Sequence, residues 1–336
     1  MKKIVSFCLI LAACTSMAQA QQTCPRIMKQ DSTLNNLVDP PGYITAKLGT
    51  LRGVVQAGKG TQAMILIPGL GFGGDVFDEF MKRFSDKYRM YAVTLPGFGQ
   101  TAAPPCPSES TSFGEQTWTS AALGAIEQFM VENKIEKPIL VGHWLTGTQL
   151  ALRLALKYPD NTKAVLILGG ALRMYVSDTN YAKFYTTPEK RVAAVDEYLA
   201  PKWFKTVTRE TWDDNNFLPQ DYAVNPVLGL RLWREAAAPL LHVWVRYLCE
   251  FDAQDMSDEL RKLRVPTLIL EPGLEGLQGD QTGNYMYDYC RRSWEGSVEN
   301  VSSITVKTIP NSRACLWLDQ PDAVNAAVTD FLKGMK

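Results

Sequence analysis

The chain has 336 residues, and lysine plus arginine equal aspartate plus glutamate at 35 each. A balanced charge gives no basis for a nucleic-acid, membrane-surface or polyanionic partner. His143 and His242 are the only histidines, which excludes a histidine-rich metal centre, and no cysteine spacing reads as a zinc site; no cofactor is expected.

The chain opens on Met1-Lys2-Lys3, continues through an apolar run from Ile4 to Ala13 and reaches Ala18-Gln19-Ala20. A basic start, a short apolar core and an A-x-A site are the parts of a secretory signal. The run is too short to span a bilayer, so no membrane insertion is expected. Residues 1–20 therefore read as a signal peptide, with the mature protein starting at Gln21, exported to a periplasm or secreted. Leu11-Ala12-Ala13-Cys14 also resembles a lipoprotein cleavage site, but that would need an unusually short signal. Five cysteines remain in the mature chain, Cys24, Cys106, Cys249, Cys290 and Cys315. In an oxidising compartment this suggests up to two disulfides and one spare thiol.

Two short strands are predicted between Tyr43 and Val55, meeting near Gly49. Met64 to Ile67 is a continuous apolar run that suits a strand buried on both faces. An amphipathic stretch follows from Val76 to Phe84, then a strand from Met90 to Leu95. A helix is predicted over Ser120 to Glu132, a buried strand over Pro138 to Val141, a core helix over Leu145 to Tyr158 and a strand over Ala164 to Leu168. Strands alternating with helices at this spacing imply an α/β protein with a mainly parallel sheet covered on both faces. The alternation stops near Leu172 and resumes at Val265. The intervening stretch is rich in helix formers and large aromatics, among them Trp203, Phe204, Trp212, Trp233 and Trp244, and reads as a helical lid. Strands over Pro266 to Leu270 and Ile304 to Ile309 and a closing helix over Asp322 to Leu332 complete the chain. The expected division is a core half at 21–172, a lid or cap insertion at 173–260 and a second core half at 261–336.

Four motifs fall beside their strands in a telling order. They are Ile67-Pro68-Gly69-Leu70-Gly71, Thr94-Leu95-Pro96-Gly97-Phe98-Gly99, Val141-Gly142-His143-Trp144-Leu145-Thr146-Gly147, and Asn311-Ser312-Arg313-Ala314-Cys315 followed by Leu318-Asp319-Gln320-Pro321. Together they resemble the α/β-hydrolase superfamily of the lidded serine-hydrolase type. The resemblance implies an oxyanion loop at Gly69-Leu70, a nucleophile elbow at residue 144 and a catalytic histidine at residue 314. The elbow is a strained strand-to-helix turn that needs small neighbours, and Gly142 and Gly147 supply them.

The reactive groups are absent. Residue 144 is tryptophan, whose indole has only a donor N–H and cannot form an acyl intermediate. Residue 314 is alanine, which cannot accept or return a proton. The acid is open between the turn after Leu168, where Gly169 and Gly170 stand, and the turn after Leu270, where Glu275 is nearest. A triad acts as a unit, and losing any member leaves only residual enhancement from binding and oxyanion stabilisation. The expectation is a pseudoenzyme with an oxyanion-hole-like pair at Leu70 and Leu145, binding at most a small apolar molecule. Its pocket candidates are Gly69, His143, Cys315 and Trp317. The alternative is an enzyme acting on small esters, amides, epoxides or halides through Glu275, Cys315 or His143. A third reading is a structural protein that uses only the lid surface. His143 is expected to point behind the elbow. His242 reads as a packing residue in an apolar stretch, and Cys315 would need a cation such as Arg313 to become reactive.

Overall fold

The computed structural model describes residues 54–99, 101, 103–108, 110–176, 179–208, 211, 218–274 and 284–335. The signal, the strands expected before Val54, Cys24, Trp212 and Glu275 lie outside them. Seven strands form one sheet: β1 Val55–Ala57, β2 Gln62–Ile67, β3 Tyr88–Ala92, β4 Ile139–His143, β5 Ala164–Leu168, β6 Thr267–Pro272 and β7 Ile304–Ile309. Their order is β1-β3-β2-β4-β5-β6-β7. β1 runs antiparallel to β3, and every other pairing is parallel.

The apolar runs explain the centre of the sheet. Residues Met64 to Ile67, Leu140, Val141 and Ala164 to Leu168 are fully buried, as strands covered on both faces must be. Register places the carboxyl ends of β2, β4 and β5 side by side, with Ile67 opposite Gly142 and His143 opposite Leu168. The elbow and the oxyanion-type loop are thereby brought to one edge. The expected helices appear as Asp78–Phe84, Thr117–Glu132, Trp144–Lys157 and Pro321–Gly334. The strand expected to reach Leu95 stops at Ala92. Beyond it the Val93 N–H still donates to the Leu66 carbonyl at 2.9 Å, but Leu95 turns away to start the Pro96-Gly97 loop.

Between β5 and β6 the described residues form helices and turns, among them Pro188–Ala194, Pro219–Tyr222, Pro226–Ala237 and Leu241–Asp252. This insertion packs on the loops that leave the carboxyl ends of three strands. The Ala236 carbonyl lies where a Cβ on Gly71 would be, 2.3 Å away. The Tyr247 hydroxyl donates to the Pro96 carbonyl at 2.9 Å. The Cys315 N–H donates to the Tyr222 carbonyl at 3.0 Å.

A buried polar network ties the insertion to the core. Glu250, fully buried, accepts from the Trp118 N–H at 2.9 Å, and from the Thr119 N–H at 2.7 Å and hydroxyl at 2.8 Å. Those amides open the helix Thr117–Glu132, whose first-turn N–H groups have no partner within the helix, and a carboxylate there also faces the positive end of the helix dipole. Arg246 lies 3.2 Å from the same carboxylate and stacks over the Phe113 ring at 4.5 Å. The Gln116 side chain donates to the Glu250 carbonyl and accepts from Arg153 at 2.8 Å. Removing one partner of a buried ion pair strands the other charge, at about 3–5 kcal/mol. Glu250→Ala should lose about that much stability in urea unfolding, and Glu250→Gln should lose less by keeping one acceptor. Equal stability of Glu250→Ala and the parent would show that the network is dispensable.

Candidate functional site

The elbow is built by close backbone approach. A Cβ on Gly147 would lie 2.3 Å from the Ile67 carbonyl oxygen, and one on Gly142 would lie 2.7 Å from the Gly147 carbonyl oxygen. The chain leaves β4 extended at His143 and turns at Trp144 with φ of 54°. That is the left-handed region, which costs a residue other than glycine about 1–3 kcal/mol and persists only where the surroundings dictate it. Trp144 is 1% exposed. Its ring meets Tyr289 edge-on at 6.0 Å, and its Cβ crowds Gly69 so closely that a Cβ there would be 2.3 Å away. The position that resembles a nucleophile is thus part of the packed interior. Several clefts open elsewhere on the molecule, and neither Trp144 nor Ala314 lines those at Val224–Gln320, Glu127–Asn161, Met174–Lys202 or Asp75–Leu318.

The four pocket candidates come together, but as packing. Gly69 donates its N–H to His143 Nδ1 at 3.4 Å, so that amide is not aimed at a substrate oxygen. His143 is enclosed by Trp317 at 4.7 Å, Phe72 at 5.6 Å and Phe77 at 6.1 Å between ring centroids. Burial lowers its pKa to about 3, which keeps the ring neutral. With Nδ1 accepting, the proton sits on Nε2, which lies 4.0 Å from Cys315 Sγ. The thiol therefore faces a neutral ring, and burial pushes its pKa well up, the opposite of an activated cysteine. Trp317 stacks on Phe77 at 5.4 Å and donates its indole N–H to the Val76 carbonyl at 3.3 Å. His242 is buried in Leu241–Asp252 and kept neutral by burial, with a pKa of about 4.

Ala314 is buried, and its N–H donates to the Asp221 carbonyl at 3.3 Å. Its own carbonyl oxygen lies where a Cβ on Gly169 would be, 2.1 Å away. A Cβ on Gly170 would meet Thr148 Oγ1 and Ile167 Cγ2, both at 2.2 Å. Trp294 and Cys290 donate to the Gly170 and Gly169 carbonyls at 2.9 and 3.0 Å. The turn after β5 is thus closed to a carboxylate side chain, and Gly170 is not a vacated acid position in this packing. Leu70 and Leu145 are both buried at the elbow. Leu145 is the second residue of its helix, so its N–H is one of the four without an intrahelical acceptor. Of the cysteines, Cys106 is disulfide-bonded and Cys249, Cys290 and Cys315 are free. One bridge lies within the expected upper limit of two, but three thiols are free among the described residues in place of one, each buried in its own packing position.

The sequence reading missed two carboxyls at the loop that resembles the histidine loop, Asp221 in the insertion packed against it and Asp319 on the loop itself. Asp221, 2% exposed, accepts the Leu218 N–H at 2.7 Å. Burial raises its pKa to about 7, with the Arg313 charge opposing. Asp319 accepts from the Val224 and Arg313 N–H groups, each at 2.8 Å, and burial raises it to about 6. The Pro219-Gln220-Asp221 helix start was the available signal, since an acid in a first turn caps free amides. Among the described residues no group of three or more His, Cys, Asp and Glu is placed to hold a metal.

A model described as the alpha/beta hydrolase family matches residues 64–327, and the chain belongs to that family. A Caenorhabditis elegans protein, abhydrolase domain-containing protein abhd-5.2, is 30% identical over 143 residues, 43% of this chain. The match spans 31% of that relative's length. A pimeloyl-[acyl-carrier protein] methyl ester esterase from Aeromonas hydrophila is 24% identical over 215 residues, 64% of this chain and 77% of that one. The structure of a bromoperoxidase from Bacillus anthracis superposes with a TM-score of 0.57 at 19% identity, covering 83% of this chain and 94% of that one. An esterase from Exiguobacterium antarcticum gives 0.57 at 16% identity, with 84% and 95% covered. At these identities the structures share the fold.

The raised carboxyl gives a pH test. Asp221 holds its proton to about pH 7 when folded, against an ordinary value of 3.8. The folded state binds that proton more tightly, so the associated stability is complete below about pH 4 and is lost as pH rises through 7. Asp221→Asn keeps an acceptor for Leu218 and removes the titration. Its melting temperature should match the parent's near pH 4 and exceed it at pH 8, the gap opening between pH 4 and 7 at about 1.4 kcal/mol for each pH unit. A difference that does not change with pH would contradict the assignment.

Proposed function

We propose that this protein is an exported member of the α/β-hydrolase family that performs no serine-hydrolase chemistry and binds a small apolar molecule instead. One observation carries the reading: the elbow residue is a buried tryptophan in the strained nucleophile conformation. An acyl intermediate needs an oxygen or sulfur nucleophile with a base beside it, and neither residue 144 nor residue 314 provides one. Cys315 and His143 do not substitute, since one is a buried thiol and the other a neutral ring held behind the elbow. The esterase named among the relatives supports acyl-bearing compounds as the ligand class. Export is supported by the N-terminal signal pattern and by the disulfide at Cys106, which suits an oxidising compartment.

The test is to rebuild the missing groups. The parent should neither label with a fluorophosphonate probe nor show an acyl burst with a small activated ester. Trp144→Ser with Ala314→His should hydrolyse that ester faster than Trp144→Ser alone by about 100-fold or more, the usual contribution of a positioned base. Gly170→Asp does not belong in the rebuild, because no Cβ fits there. Stoichiometric labelling of the parent between Gly142 and Gly147 would overturn the proposal. Equal rates for Trp144→Ser and the double variant would show that another base is present.

A further inference from the structure

Trp144 is buried and lines none of the four clefts described above, whereas the helical insertion carries a cleft suited to a ligand. It has a volume of about 690 Å³ and is lined by residues between Met174 and Lys202. That size falls within the range of small-molecule sites, which are mostly apolar with a few polar groups fixing orientation. Its wall includes Tyr181, Phe184 and Tyr198, which are 50%, 48% and 57% exposed. Clustered exposed aromatics on an otherwise well-packed protein mark a binding surface.

Two further observations show that the cleft is constructed rather than left over. Val195–Leu199 is a π-helix, a rare form that gathers at functional sites, and three of its residues, Glu197, Tyr198 and Leu199, line the cleft. Beneath the wall, Arg191 is 3% exposed. Its guanidinium donates to the Tyr185 carbonyl at 3.2 Å and the Met174 carbonyl at 3.5 Å, pairs with Asp255 at 3.2 Å and stacks on the Tyr185 ring at 5.3 Å. Tyr185 and Met174 both line the cleft, so a buried cation anchors its floor to the body of the protein.

The polar residues fix the ligand's charge. Among the described residues Lys190 and Lys202 line the cleft against one carboxylate, Glu197, and Lys183 sits over the Phe184 ring at 5.2 Å. We propose that this cleft binds one molecule of a free fatty carboxylate, its chain on the Tyr181, Phe184 and Tyr198 wall and its head on Lys190 and Lys202. The inference rests on the binding role proposed above and gives it a site and a ligand chemistry.

The experiment is calorimetric titration of the full mature protein with dodecanoate below its micelle threshold. Saturable one-to-one binding is expected, with dodecanol weaker. Lys190→Gln with Lys202→Gln should weaken dodecanoate by about tenfold or more, as lost charge-assisted contacts do, and leave dodecanol unchanged. Phe184→Ala should weaken both. Trp144→Ala should weaken neither, which separates this cleft from the elbow. Absence of saturable binding would overturn the inference, as would an affinity unchanged by the lysine and phenylalanine substitutions. Binding only to anionic vesicles, with none to monomeric dodecanoate, would overturn it in favour of a membrane-docking surface. Hydrolysis of dodecanoyl esters by the parent would instead defeat the non-catalytic reading, and the titration would still decide the cleft.

Discussion

The chain leaves β4 extended at His143 and must reverse into a helix at the next residue, with Gly142 and Gly147 packed so tightly that no larger side chain fits. That geometry forces residue 144 into the left-handed region whatever its side chain. The rest of the site follows from it. The Gly69 loop is pressed against the Trp144 Cβ, His143 is driven behind the turn into a cage of aromatic rings, and the Leu145 amide is left at the start of a helix. In an enzyme the strain of such a turn is repaid by presenting a nucleophile to the substrate. Here the turn presents an indole to the interior, and the compensation is packing.

The insertion completes the closure. Its helices meet the carboxyl ends of β2, β3 and β7 through Ala236, Tyr247 and Tyr222. Glu250 and Arg246 fasten it to the helix that starts at Thr117. Asp252, one turn's fraction further on, is fully buried, and burial pushes its carboxyl well up. Arg246 lies 3.2 Å from Glu250, whereas neither Asp252 oxygen has a hydrogen-bond partner among the described residues and the Arg191 charge only opposes the effect of burial.

Much of the fold was legible because its signals are local. Continuous apolar runs at Met64 to Ile67 and Ala164 to Leu168 announce strands buried on both faces, and the order of glycine-rich turns announces the family. That tryptophan and alanine stand at residues 144 and 314 is local in the same way, since the motif fixes which position resembles a reactive one. What escaped the sequence depends on contacts between distant segments. Gly170 looks like a vacant acid position until Thr148 and Ile167 are seen to occupy its surroundings. Gly69 looks like a pocket residue until its amide is found on His143. Asp221 reads in the sequence only as a residue at a helix start, because its burial arises when the insertion packs on the loop at Ala314. The free thiols at Cys249, Cys290 and Cys315 likewise reflect where the chain folds and not how the cysteines are spaced.

The central claim is that Trp144 is a packed interior residue held in a strained, left-handed backbone shape. Urea unfolding of Trp144→Ala and Trp144→Gly tests it most directly, because the two variants separate packing from backbone strain. Truncating a well-packed tryptophan to alanine costs about 3–5 kcal/mol. Glycine leaves the same cavity but tolerates the left-handed backbone, which recovers about 1–3 kcal/mol. The account therefore predicts that both variants are less stable than the parent and that the glycine variant is the more stable of the two. An alanine variant as stable as the parent would contradict it, by showing that the indole stands in an open site and not in the core.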